Sequence, residues 1–267
     1  MRVAFVGAGQ IGAPMSERLL AAGHDLTVYA RRPEVREHFA TAGATVTDSL
    51  TDAARAAEVV HVCVYSDEQL ETVALGDHGL VAHLADDALL VSHTTGSPAT
   101  IQRIAAEGNG HVVDAPFSGG TDDVLAGKLT VMLGGAPDDV ERARTTVGAY
   151  ADPILPIAAL GSALVVKLVN NALFAANIQL VAQAEQIANG LGVDTPTLAN
   201  VIQQSSGASY VMGLITFMGS TDHLVEAAGH YMRKDIDVVR QVADNLGLDL
   251  GIIGRAVDGG PADFTAR

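Results

Sequence analysis

The chain contains no tryptophan and a single cysteine, Cys63. One thiol rules out an intrachain disulfide, so a bridge-stapled secreted scaffold is excluded and a reducing cytoplasm is expected. Aromatic residues amount to only 4%. The core must therefore be built from Ala, Val, Leu and Ile, which suits helices packed on a parallel sheet. Positive charge is scarce. Lys and Arg number 16 against 31 Asp and Glu, for a formal net charge of -15. That balance argues against nucleic acid or an anionic membrane surface as a partner, since both bind through basic patches. The nine histidines are scattered, with no HExxH or CxxC spacing, which argues against a metal site. No run reaches the roughly 18 to 20 apolar residues of a membrane span without an interrupting Asn, Gln or Asp. A strand pattern starts at residue 2 and no secretory signal is visible, so none is expected.

What is present begins at the N-terminus. Val3 to Val6 is a short apolar run that reads as a buried parallel strand. Directly after it comes Gly7-Ala8-Gly9-Gln10-Ile11-Gly12, a G-x-G-x-x-G turn. A helical pattern with Met15, Leu19 and Leu20 follows, closed by Gly23, and Leu26 to Ala30 is a second strand. In a βαβ unit of this kind the first glycine permits the tight turn. The second lets the backbone approach a pyrophosphate, and the third lets helix and strand pack closely. The end of the second strand reads on the ribose. An acid there would bind its hydroxyls; arginine suits a 2′-phosphate. The residues are Arg31 and Arg32, with no acid, so NADP is the expected cofactor and NAD the second choice.

The alternation of strand and helix continues to about residue 155. Strands are expected at 41–47, 59–65, 88–92, 111–113, 128–135 and 154–155. Helices are expected at 49–57 with Ser49 as N-cap, and at 67–75, 98–107 and 138–149. Repeated units of this length imply a doubly wound parallel sheet, with ligands beyond the carboxyl ends of its strands. Two strand ends carry polar or glycine-rich loops, His93 to Pro98 and Asp114 to Gly120. In the second, Ser118-Gly119-Gly120 forms either a plain turn or an anion-binding concavity of consecutive N–H groups. From Gly161 onward only helices are expected, at 162–190, 195–204, 209–218, 222–230, 231–247 and 249–257, with a frayed tail. The division is thus an α/β nucleotide domain over 1–160 and an all-α domain over 161–267, with the long first helix running between them.

That long helix carries an odd residue. Lys167 is one of three lysines in the chain and lies among Val165, Val166, Leu168 and Val169. Asn171 follows it by four residues, on the same helical face. Taken by itself, Lys167 is either a lysine snorkelling to solvent or a group whose charge is put to chemical use.

Four runs in order carry a resemblance to the β-hydroxyacid dehydrogenase family: VGAGQIGAPMSERLLAAG, DAPFSGG, GSALVVKLVNN and KDIDVV. The family includes 3-hydroxyisobutyrate dehydrogenase, and 6-phosphogluconate dehydrogenase is a larger relative. The resemblance spans nearly the whole chain. It implies a Rossmann-type sheet followed by a helical domain through which two copies dimerise. It implies that Lys167 is the general acid/base, its pKa lowered by apolar burial, and that Asn171 holds the substrate oxygen or carboxylate. Ser118, Gly119 and Gly120 would bind that carboxylate. Val64, Tyr65 and Thr95 would line the nicotinamide, and Lys234 would close over the cofactor. Where the family has small residues or proline this chain has Tyr65 and Phe117, and Asp122 and Asp123 follow its SGG. The expected activity is interconversion of a small 3-hydroxy acid and its semialdehyde or keto form. An imine reductase on the same fold and a non-catalytic NADP-binding protein are the alternatives. The former generally lacks the lysine and DAPxSGG, and the latter has no need of the Lys167–Asn171 pair.

Overall fold

Apolar runs four or five residues long set the first layer. In the computed structural model, which describes residues 1–264, six strands form one parallel sheet. They are β1 (Arg2–Val6), β2 (Asp25–Tyr29), β3 (Thr45–Thr47), β4 (Val59–Val62), β5 (Leu89–Ser92) and β6 (Val112–Asp114). Helices α1 (Gly12–Ala21), α2 (Pro33–Thr41), α3 (Leu50–Ala56), α4 (Asp67–Ala74) and α5 (Pro98–Glu107) connect them. Val3, Phe5, Leu26, Val28 and Val59 enter one buried cluster; Ala4, Val6, Val60, Val62 and Leu90 enter another. Burial on both faces explains why β1, β4 and β5 are almost wholly apolar, whereas β2, DLTVY, alternates buried with more exposed positions. The sheet order is β3-β2-β1-β4-β5-β6, the doubly wound Rossmann arrangement. It reverses between β1 and β4, which puts the ligand crevice beyond their carboxyl ends.

The later strands do not extend that sheet. β7 (Phe117–Ser118), β8 (Leu129–Leu133) and β9 (Ala151–Pro156) form a separate sheet, β7 antiparallel and β9 parallel to β8. Helices α6 (Thr121–Leu125) and α7 (Pro137–Val147) lie between its strands. The strand expected at 41–47 shortens to Thr45–Thr47. Pro33 starts α2 behind it, and Gly43 turns the chain at φ +97°.

The helical region opens with α8 (Ser162–Gly190), followed by α9 (Thr195–Ile202), α10 (Tyr210–Met218), α11 (Thr221–Leu246) and α12 (Gly251–Gly259). The chain divides into two compact units, Met1–Lys167 and Leu168–Arg267, so the division falls inside α8. In the second unit Ala175, Ile178, Val211, Met212, Ile215, Leu224 and Met232 share one buried cluster.

Three expectations need correction here. Residues 222–230 and 231–247 are one helix, because Gly229 is a packing glycine rather than a break. A Cβ on it would lie 3.2 Å from Val225 and 4.0 Å from the Phe264 Cα. The tail is docked as far as Phe264, whose side chain is buried. Gln179 holds it, donating to the Val257 and Ala262 carbonyls at 3.2 and 2.8 Å and accepting the Ala262 N–H at 2.8 Å. Residues 265–267 lie outside the described residues. Finally, α8 is long and apolar enough to cross a membrane by length and composition, despite its Asn and Gln residues. Half of its most apolar window is buried within the chain.

Candidate active site

The turn after β1 leaves no choice at two positions. Gly7 has φ +98°, and a Cβ there would meet the Cys63 carbonyl oxygen at 2.2 Å. A Cβ on Gly12 would meet the Gly7 oxygen at 2.1 Å, so only glycine lets α1 start so close to β1. Apart from its chain neighbours, nothing lies within 4 Å of a Cβ on Gly9, so packing does not demand a glycine there. No side chain caps α1. An uncapped helix N-terminus above a glycine turn is the donor set that a pyrophosphate takes, so these residues fit a dinucleotide.

Arg31 and Arg32 follow β2 and are exposed; Arg32 lies 3.8 Å from Glu34. Arg36, which the sequence alone did not single out, donates to the carbonyls of Ala30 and Arg31 at 2.6 and 2.9 Å. It fixes the backbone from which the two arginines project. Beyond β4, the Val64 N–H donates to the Thr94 hydroxyl at 3.1 Å and the Tyr65 N–H to the Gln69 side chain at 3.0 Å. Asp67 accepts the Ser97 N–H at 2.7 Å. These bonds tie the segment containing Thr95 to that containing Val64 and Tyr65.

The loop after β6 is arranged differently from expectation. Ser118 and Gly119 are exposed, while the Gly120 N–H donates to the Asp123 carboxylate at 2.7 Å. Asp123 therefore caps α6 and consumes one of the three donors assigned to an anion. The Thr121 hydroxyl donates to the Gln10 carbonyl at 3.4 Å, which brings this loop beside the glycine turn.

A buried polar chain lies beneath these strand ends. His93 Nδ1 is 2.8 Å from the Ala115 carbonyl, so that nitrogen carries a proton and Nε2 accepts. The Tyr150 hydroxyl is 2.9 Å from His93 Nε2 and 3.2 Å from His61 Nδ1; His61 Nε2 is 2.9 Å from the Thr146 hydroxyl. His61 Nδ1 donating to Tyr150, Tyr150 to His93 Nε2 and His93 Nδ1 to Ala115 satisfies these three side chains in one direction, and the Thr146 hydroxyl lies between His61 Nε2 at 2.9 Å and the Ala143 carbonyl at 3.0 Å. Burial pushes His61 well below the usual imidazole range and His93 down to about 4.

On α8, Lys167 is half-buried. Its neighbours Val165, Val166 and Val169 are 41–52% exposed on this chain, so they do not form the apolar enclosure expected around it. Asn171 is 3% exposed. Its side-chain nitrogen donates to Asp235, and its oxygen accepts from Asn170 at 3.1 Å. Lys234 pairs with the same Asp235 at 3.0 Å. The second unit thus ties Asn171 and Lys234 together through a carboxylate that sequence reasoning did not select, although it adjoins Lys234 in KDIDVV. Among the described residues no cluster of His, Cys, Asp and Glu could hold a metal.

Comparison with known proteins decides the family. Residues 2–168 match the model of the NAD binding domain of 6-phosphogluconate dehydrogenase. Residues 161–257 match that of the NAD-binding domain of NADP-dependent 3-hydroxyisobutyrate dehydrogenase. The chain belongs to the β-hydroxyacid dehydrogenase family. It is an oxidoreductase that binds a nicotinamide cofactor and acts on a small molecule. An NAD-dependent L-serine dehydrogenase from Pseudomonas aeruginosa is 34% identical over 79% of this chain and 72% of its own length. The structure of a Mycobacterium tuberculosis 3-hydroxyisobutyrate dehydrogenase with L-serine superposes with a TM-score of 0.85 at 25% identity, covering 100% of this chain and 98% of that one. An imine reductase from Myxococcus stipitatus shares the fold at a TM-score of 0.70 and 17% identity, over 96% and 91% of the two chains.

Proposed function

We propose that the protein interconverts a small 3-hydroxy acid and its semialdehyde or keto form, with NADP preferred over NAD. Within the first unit, the observation that carries this reading is the Thr121–Gln10 bond. It sets the Ser118–Gly119 loop beside the glycine turn, so a carboxylate on the one lies next to a dinucleotide on the other. A bound nicotinamide supplies the hydride acceptor or donor at C4. Ser118 and the Gly119 amide hold the substrate carboxylate. Lys167 takes the hydroxyl proton when the alcohol is oxidised and returns it when the carbonyl is reduced. Within the helical unit Asn171 and Lys234 are joined through Asp235; Asn171 is the side chain that takes the substrate oxygen and Lys234 the one that takes the cofactor. Arg31 and Arg32 meet the 2′-phosphate.

The substrate class follows from one carboxylate pocket and one proton-transfer group. L-serine and 3-hydroxyisobutyrate are both 3-hydroxy carboxylates, and the relatives named above carry those names. Lys167 and DAPFSGG are both in place, which gives no support to an imine reductase. Homodimerisation is supported by α8, where Val166, Leu173, Leu180 and Ile187 recur every seven residues and are 41–61% exposed. The single cysteine of the chain, Cys63, accords with a cytoplasmic setting. Absorbance assays of 3-hydroxy acids and short aldehydes with NADP(H) and NAD(H) test the reading. Turnover of a 3-hydroxy acid is expected; turnover of cyclic imines alone would overturn it.

A further inference from the structure

Asp114, the last residue of β6, is fully buried. Its carboxylate leaves the sheet and meets the first turn of α8. Oδ1 accepts the Gly161 N–H and Oδ2 the Leu164 N–H, each at 2.8 Å, and the Ala163 N–H adds to the pull that favours the charged carboxylate. The Ser162 N–H goes to the Ala159 carbonyl at 3.0 Å. Two of the amides that a helix start leaves orphaned are thus satisfied by one side chain, and that of Ser162 by a backbone carbonyl.

A helix is ordinarily capped by the residue beside its first turn. This cap comes from 47 residues upstream. Desolvating a carboxylate is costly, and burial raises the Asp114 pKa even though the amides pull it down. A serine or aspartate next to the helix would satisfy the same amides at less cost. The site is also closely fitted. Asp114 exchanges backbone bonds with Gly134 at 3.0 and 2.9 Å, and a Cβ on Gly134 would lie 2.4 Å from Asp114 Oδ1. Ala115, next in the chain, is held by the Ser92 carbonyl at 2.7 Å and by His93 at 2.8 Å. One end of the DAPFSGG loop is therefore fixed on both sides, and its first side chain is bolted to α8. Lys167 comes three residues after Leu164 on that helix.

We propose that Asp114 is a positioning residue that locks the first turn of α8 to the DAPFSGG loop, so that Lys167 is held in register with the loop's anion-binding end. The proposal rests on the reading of Lys167 as the acid–base group. Asp114 touches neither substrate nor cofactor; it acts through the α8 backbone.

The test is a double-mutant cycle with Asp114→Asn and Lys167→Ala, assayed on 3-hydroxyisobutyrate and L-serine with NADP. Asn keeps the size of Asp but turns one acceptor into a donor that faces an N–H. In folded Asp114→Asn, kcat is expected to fall ~10- to 100-fold, as a displacement of about 1 Å can cause. NADPH affinity should stay within about threefold, and Asp114→Asn should add little further loss to Lys167→Ala. Unchanged kcat in folded Asp114→Asn, or losses that multiply fully, would reduce Asp114 to a stabilising cap and overturn the proposal. Full activity of Lys167→Ala alone, or no turnover of either acid by the wild type, would remove the parent reading and the proposal with it; either result is visible without the Asp114 variant. If Asp114→Asn does not fold, Gly134→Ala displaces the carboxylate without deleting it and is read by the same two outcomes.

Discussion

His93 donates from Nδ1 to the carbonyl oxygen of Ala115 at 2.8 Å, which fixes the ring's orientation with its other nitrogen turned to Tyr150, while burial keeps it neutral. The neutrality has a cost in acid. His93 is lowered to about 4 and His61 is lowered well below 6.5, both by burial, whereas the unfolded chain takes up these protons near 6.5. Between those values the unfolded state binds more protons, so stability rises with pH there. The contribution is fully present above about pH 6.5 and is lost as pH falls toward 4, by ~1.4 kcal/mol per pH unit for each ring. Denaturant midpoints of the wild type and His93→Gln from pH 8 to pH 5 check this. The gap between the two should narrow in acid; a constant gap would contradict the assignment.

Asp235 joins two elements of the helical unit, accepting from Asn171 on α8 and pairing with Lys234 on α11. Asp235→Ala leaves the Asn171 amide without that acceptor in a buried place, at a cost of about 1–3 kcal/mol. Thermal melting should shift down by several degrees, and kcat/KM should fall by about tenfold or more as both side chains lose their placement. A variant with lowered melting temperature and unchanged kcat/KM would confine Asp235 to stability.

Arg31 and Arg32 stand exposed after β2, on a backbone held by Arg36. Replacing both with Ala should weaken NADPH binding by ~10- to 100-fold, the worth of a charge-assisted bond of about 1.5–3 kcal/mol, and leave NADH nearly unchanged. Fluorescence titration with both cofactors measures it. Equal loss for the two would count against a 2′-phosphate site.

The apolar stripe on α8 makes its own prediction. Leu180 is 61% exposed at the middle of that row. Leu180→Glu should convert a dimer to a monomer in light scattering while circular dichroism stays native. A wild type that is already monomeric at micromolar concentration would remove the stripe from the interface.

Local features of the chain were legible in advance because they depend on neighbours in sequence. Gly7 and Gly12 are demanded by the turn they make, and Ser49 caps α3 three residues ahead, accepting from Asp52. What escaped depends on distant partners. Asp114 finds its amides 47 and 50 residues away, and Asp235 finds Asn171 at 64. Gly229 looks like a helix break until Phe264 packs over it. Asp123, which by charge alone reads as a repulsive neighbour of an anion pocket, turns inward to cap α6. Periodicity cannot reveal such contacts, because only the folded chain brings them together.

The central claim is that Lys167 moves the proton while the cofactor carries the hydride. Single-turnover stopped flow on Lys167→Ala, with NADP and 3-hydroxyisobutyrate or L-serine, tests it most directly. Cofactor affinity should be nearly that of wild type, and the hydride-transfer rate should fall by ~10²- to 10⁴-fold, the usual worth of a general acid–base group. A variant that binds NADP normally and transfers hydride at the wild-type rate would contradict the account.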